Sequence, residues 1–157
     1  MAIIVARVDD RLVHGQVVIG WGRPLNIARI ALVDDAVAMS EFEQELYRMA
    51  VPADIEVEFL TTTAAPGRVA ELERTDERVL LLTGTVARMT ALARASTAIR
   101  TVNLGGVHDS PGRKEYLRYL YLTDDERADL ASLAAAGVSV TAQDLPSSAK
   151  VDLRGLE

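Results

Sequence analysis

Short apolar runs recur along the chain, and segments with helical periodicity separate most of them. These runs are four to seven residues long and rich in Val, Ile and Leu, which favours strands over helices. Strands that alternate with helices of about ten residues imply right-handed crossovers and a mainly parallel sheet. We predict an α/β fold, an open and mostly parallel sheet of about seven strands with helices on both faces. The predicted strands are Ile3–Val8, Ile27–Val33, Ile55–Leu60, Val79–Thr83, Thr101–Leu104, Tyr119–Leu122 and Val138–Ala142.

Capping residues predict where the helices begin. Ser40 followed by Glu43 forms a capping-box pattern and predicts a helix over Glu41–Ala50. Thr123 begins a second such pattern, which predicts Asp124–Ala136. Within the sheet, the alternation in Ile55–Leu60 is typical of an edge strand, and the apolar run Val79–Thr83 is typical of a central one. The other predicted helices run from near Pro66 to about Arg74 and over Thr85–Ala95.

Composition narrows the class of protein. The length of 157 residues suits one domain over residues 1–157, with a short surface segment expected after Lys150. There is no cysteine, which excludes disulfides and thiolate chemistry and suits a reducing cytoplasm. A net charge of −6 disfavours nucleic-acid binding as the main activity. We find no signal peptide and no apolar run that could span a membrane, so we expect a cytoplasmic protein that is not inserted in the membrane.

The loop after the first strand carries most of the candidate site residues. In an open α/β sheet, sites form outside the carboxyl ends of the strands, where the strand order reverses. The loops to examine therefore follow the first, second, fourth and fifth strands. The first of these loops has the richest chemistry, and its candidate residues are Arg7, Asp9, Asp10, Arg11, His14, Gly15 and Gln16.

His14 is the predicted nucleophile of this loop. Histidine attacks phosphorus near neutral pH, and its phosphoramidate is labile enough to pass the group onward. Guanidinium groups from Arg7 and Arg11 can hold a phosphoryl group, and a helix beginning near Gly15 offers free N–H groups. An aspartate can hold one ring nitrogen and leave the other free to attack. The residue types alone leave open a solvated loop with surface ion pairs.

A second candidate loop follows the fifth strand. Gly105 and Gly106 permit a close backbone approach or a positive φ, and an ordinary tight turn remains the alternative. His108, in the same loop, is placed either to contact phosphate or substrate or to lie on the surface. No dinucleotide, P-loop or serine-hydrolase motif occurs, and no cluster has zinc-like spacing. We therefore predict neither a cofactor nor a metal.

The run Arg7–Trp21 (RVDDRLVHGQVVIGW) closely resembles the opening signature of a known family. These are the IIB components of the mannose/fructose/sorbose family of the bacterial phosphoenolpyruvate:sugar phosphotransferase system. The resemblance covers essentially the whole chain, and it implies a sheet of about seven strands with one antiparallel strand. It continues through Asn26–Ile30, Asp34–Val37, Val79–Leu82, Asn103–His108, Leu122–Glu126, Gly137–Val138 and Lys150–Leu153.

The resemblance also implies an activity and a set of partners. His14 matches the family's active-site histidine, so the chain would act as a sugar phosphotransferase that receives phosphate from a phosphohistidine on IIA. It would give that phosphate to a sugar bound in the membrane-embedded IIC/IID components. Arg7 and Arg11 would contact phosphate or assist docking, and Asp9 and Asp10 would orient His14 or shape the loop. The attacking nitrogen would be Nδ1.

Two segments depart from the family pattern. Gly84–Arg88 replaces a segment that often contains Asn-Pro in relatives, and the loop His108–Lys114 has a sequence of its own.

Two other functions stay open. One alternative is a regulatory or orphan carrier that reports phosphotransferase status without sugar transport. The other is a small-molecule binding module without covalent chemistry. The sequence does not identify the sugar and leaves the oligomeric state open, a homo-oligomer included.

Overall fold

The computed structural model describes residues 2–153, which contain nine strands. In chain order the strands are β1 (Ile3–Val8), β2 (Arg29–Val33), β3 (Glu56–Leu60), β4 (Val79–Thr83), β5 (Thr101–Leu104), β6 (Lys114–Leu117), β7 (Leu120–Leu122), β8 (Ser139–Ala142) and β9 (Val151–Asp152). The helical segments are a π-helix (Gln16–Gly22), α1 (Asp35–Ala38), α2 (Glu41–Met49), α3 (Ala65–Glu73), α4 (Val86–Ala95) and α5 (Asp124–Ala135).

Seven of these strands form one sheet in the order β3-β2-β4-β1-β5-β8-β9. All neighbours pair in parallel except β8 and β9, which are antiparallel. β4 lies inside the sheet with all five residues buried, and β3 lies at one edge, as predicted. The predicted open, mostly parallel α/β sheet is therefore confirmed.

Helices cover both faces of the sheet. On one face α3, α4 and α5 bury aliphatic residues such as Val69, Met89 and Leu133. On the other face the π-helix and α1 bury Trp21 and Val37 against the sheet. Burying an aliphatic side chain of this size stabilises the fold by about 1.5–3 kcal/mol, so each layer holds its helices firmly. Within residues 2–153 no helix is long and apolar enough to cross a membrane.

The structure moves one predicted strand out of the main sheet and adds one that was not predicted. The predicted strand Tyr119–Leu122 is observed as β7, but it pairs with β6 in a separate antiparallel hairpin and does not join the main sheet. The seventh strand of the sheet is instead β9, in the segment expected to be a surface tail; its last residues, 154–157, lie outside the described range. Apolar periodicity identifies a strand but not its pairing partner, so short strands are easily misassigned.

The helix predictions hold with small corrections. Thr123 forms a complete capping box with Glu126. The Ser40 hydroxyl accepts from the Glu43 N–H, but the Ser40 N–H donates to the Val37 carbonyl, so the other half of the predicted box is missing. The reason is α1, a single turn that was not predicted and that ends at Ala38, two residues before Ser40.

The strand order reverses between β1 and β5. The chain leaves β1 towards β2 on one side and leaves β5 towards β8 on the other, although β1 and β5 are neighbours. Diverging connections open a crevice at the carboxyl ends of such strands, and ligands of α/β sheets bind there. The loops after β1 and β5 therefore face each other at the position where the candidate residues were predicted.

Candidate active site

Backbone hydrogen bonds hold the first loop to the ends of the two neighbouring strands. The Asp9 N–H donates to the Thr83 carbonyl at 2.9 Å, at the end of β4. The Asp10 N–H donates to the Gly106 carbonyl at 2.8 Å, just after β5. These two hydrogen bonds fix the position of the Asp9 and Asp10 backbone relative to the ends of β4 and β5.

The loop then turns through a residue in the left-handed region. Leu12 has a φ of 60°, which is uncommon for a residue other than glycine, and its N–H donates to the Asp9 carbonyl at 3.0 Å. Its side chain lies over Gly84, where a Cβ would come within 2.7 Å of Leu12 Cδ2. Gly84, one of the departures from the family pattern, thus leaves room for Leu12.

His14 makes hydrogen bonds through both ring nitrogens. Its Nε2 lies 3.3 Å from Asp9 Oδ1, and its Nδ1 accepts from the Val17 N–H at 3.1 Å. These partners assign the proton to Nε2 and the lone pair, which accepts the Val17 N–H, to Nδ1. Burial lowers the pKa of His14 below its usual 6.5, and the charges of Arg11 and Arg7 act in the same direction against the opposing carboxylates. The ring is therefore neutral and nucleophilic at neutral pH.

Asp9 is the carboxylate that holds the histidine. It is fully buried, and its Oδ1 accepts from the backbone N–H of Arg11 at 3.1 Å and from the Arg11 Nε at 3.3 Å. The Arg7 guanidinium lies 3.6 Å from the other carboxylate oxygen. Arg11 remains 40% exposed, so its charge is available to an incoming anion as well as to Asp9.

Arg7 is enclosed behind Asp9. It has no exposed surface, and it donates to Asn103 Oδ1 and to the Asp144 carbonyl while lying 4.4 Å from the centre of the Trp21 ring. Burial lowers the pKa of Arg7 to about 10, which leaves it charged at neutral pH. Its contacts are those of a residue that positions Asp9, and its guanidinium does not line the open crevice.

Side chains approach both glycines after β5, and the approach to Gly105 is the closer one. A Cβ on Gly105 would overlap the Arg7 guanidinium. A Cβ on Gly106 would lie 3.3 Å from Asp9 Oδ1 and 3.4 Å from Arg11 Nη2. Neither glycine has a positive φ, so a tight turn does not account for them. The close approach of the Arg7, Asp9 and Arg11 side chains does.

Gly15 and Gln16 have different environments. Gln16 links two parts of the site, because its Oε1 accepts from Arg11 at 3.1 Å and its Nε2 donates to Asp144 Oδ1 at 2.8 Å. Gly15 precedes the π-helix with helical dihedrals, and nothing lies within 4 Å of a Cβ built on it. The space beside Gly15 is thus open. π-Helical turns are frequent at functional sites, and this one begins two residues after the histidine.

The structure does not bring Asp10 or His108 to His14. The two residues contact each other, with His108 Nδ1 2.6 Å from Asp10 Oδ1 and the His108 N–H donating to Asp10 Oδ2 at 2.7 Å. Arg113 donates to the His108 carbonyl at 2.9 Å. Asp10 therefore fastens the loop after β5 to the loop after β1, while the side chain of His108 is mostly exposed at the mouth of the crevice.

Three residues that line the site were not predicted from the sequence. Beside the loop is an open crevice of about 550 Å³, and Arg118, Tyr119 and Asp144 contribute to its walls together with Arg11. Asp144 follows the carboxyl end of β8, so the rule for α/β sheets could have indicated it. Arg118 and Tyr119 lie in the β6–β7 turn, and no sequence signal brings that hairpin to the crevice. Within residues 2–153 no cluster of His, Asp or Glu is suited to a metal ion.

These features define a class of protein: an α/β domain that presents a neutral histidine and a partly exposed arginine at the point where the strand order of its sheet reverses. Residues 3–156 match the family model of the PTS system sorbose subfamily IIB component. The chain belongs to that family, a class of sugar phosphotransferase domains of the phosphotransferase system. The resemblance inferred from Arg7–Trp21 is therefore confirmed.

Individual relatives agree over nearly the full length. The chain is 30% identical over 154 residues to the N-acetylgalactosamine-specific phosphotransferase enzyme IIB component 1 of Escherichia coli (strain K12), covering 94% of each chain. It is similar to the crystal structure of the IIBSor domain of the sorbose permease from Klebsiella pneumoniae, with a TM-score of 0.89, 29% identity and coverage of 99% and 96%. It is also similar to the crystal structure of manxB from Thermoanaerobacter tengcongensis, with a TM-score of 0.86, 33% identity and coverage of 98% and 93%.

Proposed function

We propose that this protein is a phosphohistidine carrier of sugar uptake. It accepts a phosphoryl group on His14 from a phosphohistidine of a IIA partner and transfers it to a sugar bound by membrane IIC/IID components. The observation that carries this proposal is the pair of hydrogen bonds on the ring, Nε2 to Asp9 and Nδ1 from the Val17 N–H. They leave a neutral imidazole with its lone pair on Nδ1, and Arg11 and Gln16 of the same loop line the adjacent crevice.

The transfer needs no proton movement within the site. The Nδ1 lone pair attacks phosphorus as the N–P bond of the donor breaks, and the donor imidazole leaves with that electron pair. His14 becomes a phosphoimidazolium with its proton still on Nε2, and the Asp9 carboxylate stabilises the positive charge. A sugar hydroxyl then attacks the same phosphorus, its proton passes to a base of the membrane complex, and Nδ1 leaves with its electrons.

The protein contributes positioning and positive charge. Arg11 is partly exposed beside His14, and the Val17 N–H would turn from Nδ1 to a phosphoryl oxygen once Nδ1 is occupied. Gly15 and Gly106 have no side chains that could obstruct an incoming phosphoryl donor. Arg7 acts at a distance, because it holds Asp9, and Asp9 holds the ring.

The partners follow from the family. A single IIB domain over residues 1–157, working in the cytoplasm, would meet IIA and the membrane components in turn through the same open crevice. A crevice of about 550 Å³ at the carboxyl edge is within the range of small-molecule sites and open enough for a partner's histidine or a sugar.

The test is phosphoryl transfer from purified phosphorylated IIA, measured as acid-labile phosphate on the protein. We expect one phosphate per wild-type chain, none on His14→Ala and one on the control His108→Ala. Normal labelling of His14→Ala would refute the assignment. In a second step, membranes containing IIC and IID are added with candidate sugars. A chain that is labelled but transfers phosphate to no sugar would support the regulatory carrier instead.

A further inference from the structure

Helix α2 presents a stripe of large apolar side chains to solvent. The α2 stripe consists of Met39, just before the helix, and Phe42, Leu46 and Met49 within it, which are 81%, 74%, 51% and 81% exposed. Spacings of four and three residues place Phe42, Leu46 and Met49 on one side of α2, and Met39 adds a fourth exposed apolar side chain just before the helix. Single exposed apolar residues are ordinary, whereas a group of this kind indicates an interaction surface.

The α2 stripe is not needed to hold the helix on the protein. The opposite side of α2 makes that attachment, with Tyr47 packing against Phe59 at a ring-centroid distance of 6.3 Å. Gln44 also donates to the carbonyls of Val37 and Ala38 in the preceding turn. The stripe therefore points away from the contacts of the fold, and its composition requires another explanation.

Charges beside the stripe restrict what can cover it. At 100° per residue, Glu45 and Glu41 border it on one side and Glu43 on the other. Arg48 forms an ion pair with Glu45 at 3.1 Å and offsets its charge, so the borders remain acidic through Glu41 and Glu43. The whole chain carries a net charge of −6. A second copy would bring like charges together, and an anionic lipid surface would be repelled, so the charges favour an apolar surface bordered by Lys and Arg.

The stripe also begins at the edge of the sheet that carries the active site. α1 and Met39 follow the carboxyl end of β2, and β2 lies two strand positions from β1. At about 4.8 Å per strand this separation is about 10 Å across the sheet. A partner seated on α2 therefore reaches the edge from which His14 projects.

We infer that the α2 stripe is the docking surface for the membrane-embedded component that receives the phosphoryl group from His14. Cytoplasmic loops of membrane proteins carry an excess of Lys and Arg, which matches the acidic borders of the stripe. Apolar contact would supply the affinity, and the glutamates would steer and orient the approach. This inference rests on the proposed function and adds to it the surface that delivers the phosphoryl group.

The test uses the full chain, purified phosphorylated IIA and membrane vesicles containing IIC and IID. The variant Leu46→Glu/Met49→Glu puts two charges into the stripe. Its matched control, Ala131→Glu/Ala135→Glu, adds two charges at exposed positions of α5 on the other face of the sheet. A second variant, Leu46→Ser/Met49→Ser, removes the apolar contact without adding charge. Transfer to sugar is measured against the concentration of the IIB protein.

We expect both stripe variants to raise the KM for transfer to membrane-bound sugar about tenfold or more, with kcat and phosphorylation by IIA unchanged. The control should match the wild type. Wild-type KM in both stripe variants would overturn the inference, and so would a loss of phosphorylation by IIA, which would assign the stripe to IIA. The inference would also be overturned if the wild type formed a dimer that dissociates in the stripe variants. Binding of the wild type to anionic vesicles without protein would overturn it as well. Failure of the wild type to phosphorylate any sugar would instead refute the proposed function.

Discussion

Asp9 Oδ1 lies 3.3 Å from Nε2 of His14, on a carboxylate that is fully buried between two arginines. This contact holds the proton on Nε2 and leaves Nδ1 with the lone pair. Of the two adjacent aspartates, Asp9 therefore orients the His14 ring, whereas Asp10 binds His108. The difference between them leads to the first prediction.

Asp9→Asn should slow phosphorylation of His14 by about 10²- to 10⁴-fold, because the amide no longer fixes the tautomer or stabilises the imidazolium. It should also destabilise the fold by about 3–5 kcal/mol, since Arg7 would remain buried without its ion-pair partner. Asp10→Asn should slow transfer less than about tenfold. Single-turnover transfer from IIA and denaturant unfolding measure both effects. Equal losses in the two variants would contradict the assignment.

The pH dependence of phosphoryl acceptance should follow the lowered pKa of His14. Protonation blocks Nδ1, so the rate should stay high above pH 6.5 and decline only at a pH below this usual value. Arg11→Ala removes a positive charge that lowers the pKa of His14, and it should move the decline to higher pH. Transfer rates and the imidazole NMR signals over a range of about pH 5–8 measure the shift. A decline centred at or above pH 6.5 in the wild type would contradict it.

Arg11→Ala should slow transfer by about 10²-fold, because it removes the exposed positive charge beside the transferred phosphoryl group. Its guanidinium is partly solvated, so the free energy of unfolding should change by less than about 1 kcal/mol. Arg94→Ala, which removes an exposed arginine from α4, is the matched control and should transfer at the wild-type rate. A normal rate in Arg11→Ala would remove this residue from the mechanism.

Gly105→Ala should destabilise the protein by about 1–3 kcal/mol and slow transfer, because the new Cβ would displace the Arg7 guanidinium and disturb Asp9. Gly67→Ala is the control, since nothing lies within 4 Å of a Cβ there and alanine favours the helix α3 by about 0.5–1 kcal/mol. Thermal unfolding and single-turnover transfer compare the two variants. If Gly105→Ala is as stable as Gly67→Ala, the close approach does not limit this position.

Local patterns were sufficient for the outline of the fold. The apolar run Val79–Thr83 predicted a buried central strand, and the alternation in Ile55–Leu60 predicted an edge strand, as observed. Gly137, just after α5, has a φ of 98°, as the end of a helix at glycine requires. Burial periodicity and helix capping depend on residues close together in the chain. They can therefore be recognised in a single sequence.

The sequence alone also located the candidate loop. The strand that ends at Val8 is followed by polar residues at a carboxyl end, and the long resemblance over Arg7–Trp21 named His14 as the nucleophile. Chemistry that depends on residue type and on neighbours in one loop can be inferred in this way. The hairpin of β6 and β7 and the edge strand β9 could not, because their pairing depends on partners elsewhere in the chain.

Only the tertiary structure showed that Asp9 contacts the His14 ring and that Arg7 lies against Asp9. Arg7 reaches Asn103, 96 residues away, and the carbonyl of Asp144, 137 residues away, so its enclosure depends on three strands meeting at one edge. The same assembly separates the tasks of Asp9 and Asp10 and brings Arg118 to the crevice. Local patterns in the sequence indicated His14 as the candidate nucleophile and determined the fold class. The tautomer of His14 follows from Asp9 and Val17, which are five and three residues away along the chain. Long-range packing determined the enclosure of Arg7 behind Asp9 and the open crevice beside the loop, because those depend on contacts that no local pattern contains.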